Sequence, residues 1–103
     1  MAFDGTEGGE ITLSSASAMT AEYRRRNPDS TLAHFFGKDI IEHVLEQDGC
    51  MGIRMYYGLD PDTGNKELIL VGADADENDM LDVVADLSHP CPDTCSNPNP
   101  LNS

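Results

Sequence analysis

The spacing of apolar residues changes near the middle of the chain, and this change limits the folds that the sequence can adopt. Before Asp48 and Gly49, apolar residues recur every three or four positions, which is the spacing of one helical face. These residues are Leu32, Phe35, Phe36, Ile40, Ile41, Val44 and Leu45. After Gly49, every second residue of the segment 51–57 is Met, Ile or Tyr, which is the pattern of a β-strand. The sequence therefore predicts helices followed by a sheet, an α+β fold.

Two helices are predicted before this change. The first begins near Thr12, a good N-cap residue, and ends at Asn27 because Pro28 disfavours helical geometry in the residue before it. The second covers residues 32–47 and has Asp29 or Ser30 as its cap. Gly37 interrupts this second pattern and could divide it into two short helices. Gly49 is expected in the left-handed conformation that ends a helix.

Strands are predicted after the change. Segments 51–57 and 67–72 form an antiparallel hairpin around a loop rich in turn residues. Residues 80–87 fit either a helical turn or a third strand, and the strand, at 83–87, is favoured. Because the apolar run 68–71 is continuous, we expect both of its faces, or an exposed edge, to be covered. A dimer would remove such an edge, so the chain is expected to form a homo-oligomer.

The composition predicts three regions along the chain. Residues 1–10 form a flexible arm, and residues 11–88 form one domain with both helices packed on one face of the sheet. Residues 89–103 form a tail, since 89–100 contains four of the six prolines and we expect neither helix nor strand there.

The charge of the chain excludes several classes of partner. The 103 residues carry 19 Asp and Glu against 6 Lys and Arg, a formal net charge of −13. Nucleic acids and anionic membrane surfaces require clustered Lys and Arg, so neither is expected as a partner. Residues 60–103 hold ten acids and one base. We therefore expect one strongly negative end that attracts a cation or a basic protein, and binding that weakens with salt.

The chain shows no targeting or membrane-spanning pattern. Its first residues lack the basic and apolar regions of a signal peptide, and no apolar run approaches the roughly 18 residues of a membrane helix. A soluble, cytoplasmic protein is the expectation. A reducing compartment would keep its three cysteines, Cys50, Cys91 and Cys95, as thiols.

Five segments of the chain have a recognisable pattern. They read HFFGKDII from His34, GCMGIRMYYG from Gly49, LVGAD from Leu70, NDM from Asn78 and CPDTC from Cys91. Together they resemble a family of small acidic bacterial proteins typical of the Bacteroidota, across residues 11–95. In that family the tail reads Cys-Pro-Pro-x-Cys, whereas Asp93 replaces the second proline here. The resemblance implies the extent of the domain and supplies no catalytic residue.

Two groups of residues have the character of metal ligands. Asp74, Asp76 and Asn78 occupy positions 1, 3 and 5 of an EF-hand-like loop for Ca²⁺, with Asp82 at position 9. The glycine and glutamate expected at positions 6 and 12 are missing, and alternating acids are also typical of hairpin turns. His89, Cys91 and Cys95 are three candidate ligands for Zn²⁺, which needs about four. A Cys91–Cys95 disulfide and two unpaired thiols are the alternatives.

Residues for nucleophilic catalysis are sparse. Cys50 with His34 or His43 is the one conceivable dyad, and a half-buried cysteine is more often a small core residue. We expect no enzymatic activity, no catalytic residue and no cofactor other than the Ca²⁺ or Zn²⁺ alternatives. The main hypothesis is a self-associating interaction or regulatory module, and a metal-binding protein is the alternative. Arg24, Arg25 and Arg26 are the predicted contact with the acidic half of a second copy, unless they are only a solvated helix end.

Overall fold

A computed structural model of the chain describes residues 2–103. Along them lie two helices and five strands: α1 (Leu13–Arg26), β1 (Ala33–Phe35), α2 (Lys38–Leu45), β2 (Cys50–Leu59), β3 (Lys66–Asp74), β4 (Asp79–Ala85) and β5 (His89–Cys91). The strands form two antiparallel sheets, one in the order β2-β3-β4 and one of β1 and β5. The predicted α+β class is therefore confirmed. Of the described helices, neither is long and apolar enough to cross a bilayer.

Contacts within the chain divide it into two units. One unit contains the residues up to Glu7 and Phe36–Ser88, and holds α2 with the three-stranded sheet. The other contains Gly8–Phe35 and His89–Ser103, and holds α1 with the two-stranded sheet. The division into an arm 1–10, a domain 11–88 and a tail 89–103 stays a prediction.

The first helix forms where the cap residue predicts it. The hydroxyl of Thr12 accepts a hydrogen bond from the amide of Ser15 at 3.1 Å, and the Asn27 amide donates to the Tyr23 carbonyl at the other end. Within its unit, α1 bonds the C-terminal segment, because the Ser17 hydroxyl donates to the Pro100 carbonyl at 2.9 Å. The predicted start and end of α1 are thus confirmed.

The second predicted helix, 32–47, is wrong in its first part. Residues 33–35 are strand β1, paired with β5, and the helix itself is α2, Lys38–Leu45. Gly37, with φ −64° and ψ 157°, is the extended N-cap between them. The apolar spacing could not separate the two elements, because the pairing of β1 depends on residues more than fifty positions away. Gly49 has a φ of 85°, as predicted.

The three-stranded sheet contains all three predicted strands, with different bounds. The third strand lies at Asp79–Ala85 rather than 83–87, and it ends before Leu87, whose φ is 61°. The apolar run 68–71 lies in β3, which β2 and β4 flank on both sides. That run is therefore not an exposed edge, and it cannot supply the reason for self-association that the sequence suggested.

The core lies between α2 and one face of this sheet. Val44, Leu70 and Ala85 are almost completely buried, and four half-buried apolar residues pack against them: Phe36, Ile40, Ile53 and Val83. Val44 from α2 is the fully buried residue that joins helix to sheet. The apolar face of α2 explains this packing, since burial of such side chains contributes about 1.5–3 kcal/mol each.

The expectation that the tail contains no strand is also wrong. His89, Pro90 and Cys91 form β5 opposite Phe35, His34 and Ala33. The Leu32 amide donates to the Cys91 carbonyl at 2.7 Å, which extends the contact. A proline fits here because a two-stranded ladder consists only of edge strands, where a missing N–H leaves no partner unsatisfied.

Candidate functional site

Near the β2–β3 loop, the carboxyl groups of Glu67 and Asp86 are hydrogen-bonded, and the charge of Asp60 acts on Glu67. Asp60 lies in this loop, Glu67 lies near the start of β3, and Asp86 follows the end of β4. Hydrogen bonding with Asp86, then burial, then the charges of Asp86 and Asp60 raise the pKa of Glu67. One oxygen of Asp86, Oδ1, is buried and has no hydrogen-bond partner among the described residues. We call these three residues the acidic cluster.

Asp60 stabilises the turn of the β2–β3 loop. Its Oδ1 accepts hydrogen bonds from the amides of Asp62, at 2.8 Å, and Thr63, at 3.0 Å. These bonds lower the pKa of Asp60 and keep its carboxylate ionised. The acidic cluster therefore combines Asp60, whose ionised form its turn favours, with Glu67, whose ionisation its neighbours oppose.

The opposite end of the sheet contains the predicted calcium loop. Asp74 Oδ1 accepts hydrogen bonds from the amides of Asp76 and Asn78, both at 3.0 Å. Aspartate commonly stabilises a turn by such bonds. Asp76 and Asp82 are exposed. Within the described part of the chain, no three His, Cys, Asp or Glu side chains are grouped so that they could hold a metal ion.

A polar group links the two outer strands of the sheet across β3, and the sequence reasoning missed it. Arg54 Nη1 and the Tyr56 hydroxyl on β2 donate to the two carboxylate oxygens of Asp79 on β4, each at 2.5 Å. The Tyr56 hydroxyl and the Arg54 guanidinium hold the pKa of Asp79 below its ordinary value. The same bond to Asp79, together with burial, raises the pKa of Tyr56. Alternation along β2, which puts residues 54 and 56 on one face, was the available signal.

The N-terminal segment lies along the first half of β2. The Phe3 amide donates to the Ala75 carbonyl at 2.9 Å, and the Arg54 guanidinium stands 5.5 Å from the centre of the Phe3 ring. Phe3, Gly5 and Glu7 line a groove of about 320 Å³ with residues 51–54 and Ala73. Residues 55–59, the second half of β2, do not line this groove. Four of their side chains are exposed: Met55, Tyr56, Tyr57 and Leu59.

The candidate zinc ligands lie at the β5 end of the chain. The sulfur atoms of Cys91 and Cys95 are bonded to each other, and this is one of the alternatives left open by the sequence. Cys91 is buried, whereas His89 and Cys95 are exposed. Zinc requires thiolates, so a zinc site here would apply only to the reduced chain.

The remaining candidates each have partners in their own neighbourhood. The free Cys50 thiol donates to the Gly52 carbonyl at 3.3 Å, while Nδ1 of His43 lies 3.4 Å from Glu46. His34 lies in the other unit, on β1. Arg25 and Arg26 both bind Glu22 on their own helix, and Arg24 Nη1 donates to the Leu101 carbonyl at 2.7 Å. Two of the three arginines thus form ordinary i,i+3 and i,i+4 helix pairs.

Comparison of the chain with protein-family models, with curated protein sequences and with solved structures finds no match. The resemblance to the small acidic Bacteroidota proteins therefore stays a prediction.

Proposed function

We propose that the chain is an acidic, non-enzymatic interaction module that binds a basic protein partner at the acidic cluster and also associates with itself. The observation that carries the binding proposal is the convergence of Asp60, Glu67 and Asp86. The pKa of Glu67 is raised by its hydrogen bond with Asp86, by burial and by the charges of Asp86 and Asp60, and a Lys or Arg side chain placed among them would relieve the charge repulsion.

The distribution of charge supports this proposal. Residues 60–103 carry ten acids and one base, so the second part of the chain supplies most of the net charge of −13. A field of one sign accelerates the approach of an oppositely charged partner, and salt screens it. We therefore propose electrostatic steering to the module, followed by contact at the acidic cluster.

Catalysis has less support than binding. The Cys50 thiol is directed at a backbone carbonyl, and the described contacts of His43 are with Glu46. A cytoplasmic location belongs to the same proposal, and it would keep Cys91 and Cys95 reduced. Counting free thiols in protein taken directly from cells tests this part: three thiols support it, and a single thiol contradicts it.

The binding proposal is tested with two charge-matched double variants and a lysine-rich peptide as probe. Glu67→Gln with Asp86→Asn removes two carboxylates from the acidic cluster, and Asp76→Asn with Asp82→Asn removes two exposed ones elsewhere. We expect the first pair to weaken binding about two- to tenfold more than the second, since an exposed ion pair contributes about 0.2–1 kcal/mol. Equal weakening by both pairs would contradict the location, and salt-independent binding would contradict the mechanism.

A further inference from the structure

The two outer strands of the three-stranded sheet differ in regularity. From Gly52 to Leu59, β2 pairs with β3 in one unbroken register. On the other side, the pairing with β3 passes from Val84 directly to Met80, so residues 81–83 bulge out of the ladder. A bulge disrupts the row of backbone groups that another strand would need, whereas a regular outer strand presents that row intact.

The two outer strands also differ in charge. Within β4, Asp79 and Asp82 carry negative charge, and a second acidic chain would be repelled there. Within β2 there is no Asp or Glu, and its single charged residue is Arg54. In a chain with a net charge of −13, this acid-free strand repels a second copy less than β4 does.

Resting on the proposed self-association, we infer that residues 55–59 of β2 form an open edge on which a second copy docks its own β2. The two β2 strands are antiparallel and are related by a two-fold axis at Tyr57. In this register Tyr57 faces the second copy's Tyr57. Met55 faces the second copy's Leu59, so that three exposed apolar side chains of each copy form one shared row.

The opposite face of the same pairing is also complementary. Tyr56 lies opposite Gly58 of the second copy, where the absence of a side chain leaves room for the ring. A two-fold axis repeats each of these pairs, so the segment 55–59 is self-complementary.

The contact is small, and its strength follows from its size. One strand pair buries less area than a standard stable interface, so we expect dissociation in the range of about 10–100 µM. Burial of the exposed Tyr57, Met55 and Leu59 side chains supplies the apolar part of this affinity. The backbone hydrogen bonds of the added strand supply its direction.

Sedimentation analysis of the full chain at increasing concentration tests this inference. The wild type should change from 11.2 kDa towards twice that mass, while Tyr57→Asp, which sets two carboxylates against each other, should stay monomeric at least tenfold further in concentration. Tyr57 is 96% exposed, so the change leaves the folded chain intact, and its circular dichroism should match the wild type.

The matched control is Leu81→Asp, which adds the same charge at a 74% exposed residue of β4. This variant should dimerise almost as the wild type does. A dimer that Leu81→Asp breaks and Tyr57→Asp does not would overturn the location at β2. A wild type that stays monomeric at every concentration would overturn self-association altogether, yet peptide binding at the acidic cluster would be unaffected, so the two proposals fail separately.

Discussion

The two outer strands of the sheet have the same neighbour, β3, and both expose apolar side chains, yet they differ in what could pair with them. Leu81 and Val84 are exposed on β4, and Met55 and Tyr57 are exposed on β2. Only β4 combines its apolar residues with acids and a bulge. The difference shows that exposure alone does not make a docking strand; regular backbone and absence of repelling charge are also needed.

The polar group of Arg54, Tyr56 and Asp79 makes this comparison more precise. It joins the two outer strands across β3, so the charge of Asp79 is balanced by contacts within the chain. Asp79 therefore adds little repulsion at the open edge, whereas Asp82 on the same strand is exposed. We expect any change in this group to affect both outer strands.

The largest expected effect comes from the residue between the two outer strands. Leu70 is 2% exposed, and its register places it between Met55 of β2 and Ala85 of β4. Leu70→Ala should lower the free energy of unfolding by about 2–5 kcal/mol, because it leaves a cavity in the core. Denaturant unfolding measures this. A loss below about 1 kcal/mol would mean that the sheet does not depend on this contact.

A smaller effect is expected at the end of β4. Leu87 is 92% exposed and has a φ of 61°, a left-handed conformation that costs a residue with a side chain about 1–2 kcal/mol. Leu87→Gly should therefore raise the free energy of unfolding by about 1 kcal/mol without changing dimerisation. Leu81→Gly, at an exposed residue of β4 without a positive φ, is the control and should lower the free energy of unfolding. Equal effects of the two changes would contradict the strain.

The smallest effects concern pH, and they should have opposite signs at the two ends of the sheet. Asp79 has a lowered pKa, so it stabilises the fold at neutral pH, and this contribution is lost as the pH falls through its folded-state pKa. Glu67 has a raised pKa, so its contribution is present when it is protonated and is lost as the pH rises through that pKa. At about pH 7, Asp79→Asn should lower the melting temperature by a few degrees and Glu67→Gln should raise it slightly.

Melting curves between about pH 3 and pH 7 check both signs. Each difference from the wild type should shrink as the pH falls, first for Glu67→Gln, because the pKa of Glu67 is raised, and only at lower pH for Asp79→Asn, because the pKa of Asp79 is lowered. Asp93→Asn, in an exposed part of the tail, is the control for a general effect of charge. If Glu67→Gln lowered the melting temperature at neutral pH, the repulsion assigned to the acidic cluster would be contradicted.

Local chemistry was enough to predict some of the fold. The Thr12 cap and Pro28 located α1, and alternation located β2 and β3. Residues 33–35 were assigned to a helix because the apolar spacing of Leu32, Phe35 and Phe36 continues into α2. Their strand depends on pairing with β5, and the sequence around a segment does not contain its distant partner.

The candidate sites, like strand β1, depend on residues that are distant in the sequence. The acids of the second half were visible in the sequence, but only the return of β4 beside β3 brings Asp86 to Glu67. The open edge depends on strand order: the sequence predicted that 68–71 is covered on both faces or at an edge, and only the structure shows that β3 lies between β2 and β4. Chemical character was therefore predictable from the sequence, whereas the neighbours of each residue were not.

Hydrogen–deuterium exchange of the wild type at low and high concentration tests most directly whether β2 is the docking edge. Amides in residues 55–59 that point away from β3 should exchange more slowly at high concentration, because a second copy bonds them, while amides in residues 81–83 should exchange at the same rate in both. Protection that increases at 81–83 and not at 55–59, or at neither segment, would contradict the account.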